Sequence, residues 1–171
     1  MIYEDAHALR NRYIQALQAH FGADARRINH ALKVLGFAER IMAGEGVAPE
    51  LQKTVVITAL LHDVGIKAAE AKYHSSAGPY QEQEGPPIVR AIMAGFGEPA
   101  SLIERVAYIV GGHHTPGKND GLDFQIIWEA DLLVNIDEDG LAANKAGLPA
   151  IIEKNFRTAA GRAIAQAQYL A

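Results

Sequence analysis

Polar side chains capable of binding a metal stand at three places where the surrounding sequence is apolar: His30, the adjacent pair His62-Asp63, and Asp131. A buried imidazole or carboxylate costs free energy unless it is paired or coordinates an ion. Two imidazoles and two carboxylates together make a borderline-to-hard ligand set, suited to Mn²⁺, Fe²⁺, Co²⁺, Ni²⁺ or Zn²⁺. Four protein ligands leave positions open for water and substrate, as a catalytic ion needs. Taken singly, each group has a plainer reading. His30 fits a core histidine bonded to a backbone carbonyl, His62-Asp63 a chance dipeptide, and Asp131 a buried acid met by an arginine or a backbone N–H.

The elements that must carry these residues read as helices. Leu9, Tyr13, Leu17 and Phe21 recur at helical spacing in a first helix from about Tyr3 to Phe21, whose His7 and His20 are expected in solvent. A second helix runs from about Ala25 to Ala43, with His30, Val34, Phe37 and Ile41 on its inward stripe. Pro49 opens a third, which carries Leu51, Val55, Ala59 and His62 on one face, with Asp63 beside them. Lys72 to Pro87 (KYHSSAGPYQEQEGPP) reads as a Gly/Pro/Ser-rich loop walling the site. Short helices follow at about Ile88–Phe96 and Ser101–Val110. Gly111-Gly112 then delivers an exposed pair, His113-His114. A helix at about Leu122–Asp137 places Asp131 among Trp128, Leu132, Leu133 and Val134, and an Ala-rich amphipathic helix closes the chain from about Ile151 to Ala171.

Bulk properties narrow the classes. The 171 residues suit one domain with one core, 49% are hydrophobic and 21% charged, and Ala is abundant. A net charge of −4 gives no footprint for nucleic acid or an anionic membrane. The chain has no cysteine, which excludes disulfides and thiolate chemistry and suits the cytoplasm. No signal-peptide h-region and no membrane-length apolar run is present.

The order His30, His62-Asp63, Asp131 on helices, with HDVG after an apolar run, resembles the HD-domain superfamily of metal-dependent phosphohydrolases over roughly Arg26 to Glu138. YQEQEGPPIVRAIM, IVGGHHT and FQIIWEADLLVN further resemble a group of small bacterial HD proteins. The resemblance implies an all-α, single-domain HD-type bundle over residues 1–171, with the motif core at about 26–138 and a closing helix at about 151–171. It implies a divalent ion (Mn, Fe, Co, Ni, Zn or Mg) on His30, His62, Asp63 and Asp131, and hydrolysis of a phosphoester or phosphoanhydride. The partner would be a small phosphorylated molecule or nucleotide; a homodimer is left open. In two-metal members additional histidines lie between the HD pair and the last Asp. His113 and His114 occupy one such place and point to a second ion, whereas Gln81 in QEQEG stands where the other histidine is usual.

In the mechanism this implies, Asp63 is both ligand and orienter of the attacking water, and His113 or His114 protonates the leaving oxygen. Lys67 is the first choice for the cation facing the phosphoryl group, then Arg27, with Lys72, Arg90 and Lys118 behind them. Gln81, Glu82 and Glu84 are expected to meet the substrate, either glutamate serving as an oxygen ligand or base. Two rivals stand beside this reading: a diiron HD-type oxygenase, favoured by His113-His114 and opposed by Gln81, and a non-catalytic metal- or nucleotide-binding module.

Overall fold

The computed structural model describes residues 5–171, and among them the regular structure is helical throughout, with no strand. Tyr3, at the start of the expected first helix, lies outside the described residues. Helix α1 (Ala6–Phe21) begins at Asp5, whose carboxylate accepts the His7 backbone N–H, and buries the expected stripe Leu9, Tyr13, Leu17 and Phe21. Helix α2 (Ala25–Glu45) is capped by Asp24 through the Arg27 N–H and ends at Gly46, whose φ of 63° is the left-handed conformation glycine adopts without strain.

Helix α3 (Pro49–Leu61) is buried on every side from Thr54 to Leu61, so its apolar run is a central helix and not an amphipathic one. Its two threonines satisfy themselves by bonding carbonyls four residues back, Thr58 to Thr54 and Thr54 to Glu50. Helix α7 (Leu122–Glu138) is nearly as enclosed, and α2 lies against both α3 and α7. The helices that carry His30, His62-Asp63 and Asp131 are therefore mutual neighbours in the core. Helices α1 and α6 (Ala100–Val110) flank α3, and α4 (Ile66–Tyr73) and α6 each pack on α5 (Gly78–Gly95).

Two expectations need correction. The segment 72–87 is not a loop: α4 runs to Tyr73, and after a short connection α5 (Gly78–Gly95) carries the chain straight through Gly85, Pro86 and Pro87. Its glycines serve close packing instead of a turn. A Cβ on Gly65 would fall 2.5 Å from the Gln81 carbonyl oxygen and 2.7 Å from the Gly85 nitrogen, and one on Gly85 would fall 2.7 Å from Val110. The turn after α3, the middle of α5 and the end of α6 thus meet where only glycines fit.

The closing helix, in turn, is broken. Helix α8 (Leu148–Asn155) stops before an extended Phe156, and α9 (Ala159–Ala165) restarts behind Thr158, its N-cap, before a π turn at Gln166–Leu170. The break is fixed from outside. The fully buried Glu129 of α7 accepts the backbone N–H groups of Arg157 (2.9 Å) and Thr158 (3.0 Å), the Thr158 hydroxyl (2.6 Å) and the Gln125 amide. No described helix is long and apolar enough to cross a membrane.

Candidate metal centre

Helix α3 ends at Leu61, and its last carbonyls lose their intrahelical partners. His62 takes one of them: its Nδ1–H donates to the Ala59 carbonyl at 2.7 Å. The same device recurs at the end of α6, where His113 Nδ1–H donates to the Val110 carbonyl at 2.7 Å. His30, midway along α2, donates Nδ1–H to Glu138 at 3.0 Å, and Glu138 is itself approached by Lys33. Each ring therefore carries its proton on the outer nitrogen and turns the Nε2 lone pair inward, the arrangement expected of metal-ligating histidines with an anchored second nitrogen.

The inward atoms converge. His30 Nε2 is 3.2 Å from His62 Nε2, 3.1 Å from Asp131 Oδ1 and 3.2 Å from Asp63 Oδ2. His62 Nε2 is 3.3 Å from the same Asp63 oxygen and 3.4 Å from Asp131 Oδ1. Neutral imidazoles and ionised carboxylates packed this way face one another as acceptors and repel unless a proton or cation lies among them. The separations are short enough for these histidine nitrogens and carboxylate oxygens to meet a common ion at bonds of about 2.0–2.2 Å. His30, His62 and Asp63 form a group whose ligand atoms all lie within 4.8 Å of one another and could hold a divalent cation, while Asp131 meets the two histidines from outside that group.

Charge tells the same story. Burial opposes a charged His62, yet the Asp63 and Asp131 carboxylates outweigh it and hold the ring well above the usual imidazole range. His30 is raised as well, its burial overcome chiefly by Asp131. Burial likewise works against ionised Asp63 and Asp131, but the histidines keep both below the usual carboxylate range. The cluster is built to hold positive charge.

Asp63 faces two ways. Its Oδ2 meets His30 and His62, while Oδ1 lies 3.3 Å from His113 Nε2, a buried atom with no hydrogen-bond partner. Asp63, His113 and His114 form a second group able to hold an ion. His113 was expected in the open; it is 4% exposed, and as a neutral ring it has no inward proton to offer a leaving oxygen. His114 is the more exposed of the pair, its Nε2 2.9 Å from Gln81 Oε1 and its backbone N–H 3.1 Å from Glu82.

The remaining candidates are less central. The Arg27 guanidinium is gripped by Glu70 and Asp24, and the bond to Glu70 first, with the Asp24 and Asp63 charges behind it, raises its pKa. Lys67 is exposed, its ammonium 3.4 Å from the His20 carbonyl. Glu84 is tied to Lys72 at 3.0 Å, Arg90 to Glu104 at 2.9 Å, and Lys118 to the Gly111 carbonyl at 3.2 Å. His7 is exposed as expected, but His20 is half-buried and donates Nε2–H to the Val64 carbonyl at 2.8 Å, tying the end of α1 to the turn that holds Asp63. Glu138 was missed, although it follows Asp131 by seven residues, two helical turns along the same stripe.

The family model for the HD domain matches residues 27–152. A solved structure of a predicted HD superfamily hydrolase from an uncultured Thermotogales bacterium is similar in fold, with a TM-score of 0.69 over 94% of this chain and 84% of that one, at 19% identity. Among curated proteins none matches the chain.

Proposed function

This chain belongs to the HD domain family, and from that premise we propose that it is a metal-dependent hydrolase of a phosphoester or phosphoanhydride bond in a small molecule, nucleotides being the first class to try. The observation that carries the reading is the approach of His30 Nε2 and His62 Nε2 to each other and to Asp63 Oδ2 and Asp131 Oδ1 at 3.1–3.4 Å, from two helices and the turn that ends a third. A divalent ion on those residues supplies Lewis acidity, polarising a phosphoryl oxygen and lowering the pKa of water. Asp63, which faces both histidine groups, orients the attacking water. Arg27 is assigned to the phosphoryl oxygens, where charge spreads in the transition state, and its clamp by Glu70 and Asp24 keeps it from having to reorganise. Lys67 is kept as a second cation further out. Glu82 holds the His113-His114 turn through the His114 N–H and the Thr115 hydroxyl.

The test is phosphate release from nucleotides and generic phosphomonoesters in the presence of Mn²⁺, Co²⁺ or Ni²⁺. Turnover that disappears on chelation supports the reading. No turnover with any of them at full metal occupancy removes it and leaves a binding module. A second reading, a diiron oxygenase, draws on one observation: Asp63 turns its two oxygens to different histidine groups, as a carboxylate between two ions would. Two irons per chain in aerobically purified protein would favour it.

A further inference from the structure

Gly78, Gln81 and Glu82 are spaced i, i+3 and i+4 on α5 and so share one face of that helix. All three touch His114. A Cβ on Gly78 would come within 3.0 Å of His114 Cβ and 3.1 Å of Cγ, so the helix lies directly against the side chain. Glu82 takes the His114 backbone N–H. Gln81 takes the ring, at 2.9 Å between Oε1 and Nε2.

Which partner donates in that last bond is decided at the far end of the amide. Gln81 Nε2 lies 2.5 Å from the Ser76 carbonyl oxygen, and a carbonyl only accepts. The NH₂ group must therefore face Ser76, which turns the amide oxygen to His114. That oxygen also only accepts, so His114 must bring its proton to Nε2. A neutral imidazole has one N–H, and Nδ1 is left as the sole lone pair of the ring.

We propose that Gln81 is a positioning residue that holds His114 as the Nε2–H tautomer, so that the neutral ring spends its one proton on Gln81 and keeps Nδ1 as its acceptor, leaving no proton for a leaving oxygen. Its catalytic meaning rests on the hydrolase reading, because His114 stands beside Asp63 and His113, with ligand atoms within 4.8 Å of one another. Residue 81 then gives direction to a neighbouring ring where a histidine would add a ring of its own.

Long-range ¹⁵N–¹H spectra of the full-length protein at about pH 8, where an ordinary imidazole is neutral, read the tautomer directly, with His114 assigned from a His114→Gln sample. The expected result is a protonated Nε2 bearing a slowly exchanging proton and an unprotonated Nδ1. In Gln81→Leu the slow proton is lost. A proton on Nδ1 of the wild-type ring overturns the proposal, as does an equally protected Nε2–H in Gln81→Leu. The wild-type spectrum decides the matter even where a variant fails to fold. Absence of any hydrolysis would leave these spectra unchanged, so the two readings fail separately.

Discussion

Replacing Gly65 with alanine tests whether the turn after α3 and the middle of α5 are held as closely as the structure has them. The new Cβ would lie 2.5 Å from the Gln81 carbonyl oxygen, 2.7 Å from Gly85 N and 3.0 Å from Gly85 Cα. Ordinary contact begins at 3.4 Å, and all three obstacles are backbone, so α5 must recede by roughly 1 Å because no side chain can swing aside. Overpacking costs about 1–3 kcal/mol, and rigid neighbours place this site near the upper end. For a chain of this size about 3 kcal/mol lowers Tm by roughly 6–12 °C. Gly36→Ala is the matched control: it is an exposed helix glycine with nothing within 4 Å of a new Cβ. That change should raise stability by about 0.5–1 kcal/mol. Calorimetric or circular-dichroism melts of both variants are the assay. A Gly65→Ala melt within about 2 °C of wild type, or one no worse than Gly36→Ala, would refute the packing argument.

Two further predictions concern the frame around the site. Glu129→Ala strands the buried Thr158 N–H and hydroxyl together with the Arg157 N–H; at about 1–3 kcal/mol per unsatisfied group it should cost roughly 3–5 kcal/mol, read as a lower urea midpoint with the slope unchanged. His20 has its pKa lowered chiefly by burial, with Lys67 adding to it against the Val64 bond. The unfolded chain therefore takes up this proton first, near pH 6.5, and the stability His20 contributes is present above that pH and lost as pH falls through it. The Tm difference between wild type and His20→Gln should shrink from about pH 7 to about pH 5, and a difference constant over that range would contradict the assignment.

The convergence of His30, His62, Asp63 and Asp131 and the helices that bring them together are legible because their signals are local. An apolar run of helical period fixes which face is buried, and a histidine or aspartate on that face stands out against it. The misreadings share a different cause: each depended on a residue far away in sequence. Gly78, Gly85, Pro86 and Pro87 have the composition of a loop, yet they continue a helix because Gly65, Val110 and His114 approach it closely. The closing helix has no breaker of its own at Phe156; Glu129, on another helix, supplies the acceptor that makes the break stable. His20 looked like a surface residue until the Val64 carbonyl was brought to it. His113 follows two glycines, which suggested exposure, but its bond to Val110 folds it back under α6. Glu138 lies two turns from Asp131 on the same stripe, but at the helix end among other acids nothing local sets it apart.

The most direct measurement is elemental analysis of purified wild-type, His62→Ala and Asp63→Ala proteins after equilibration with Mn²⁺, Co²⁺, Ni²⁺ or Zn²⁺. The account predicts at least one tightly held ion per wild-type chain and none in either variant, with all three chains still folded. Equal retention in the variants, or a wild-type chain that binds none of these ions, would contradict it.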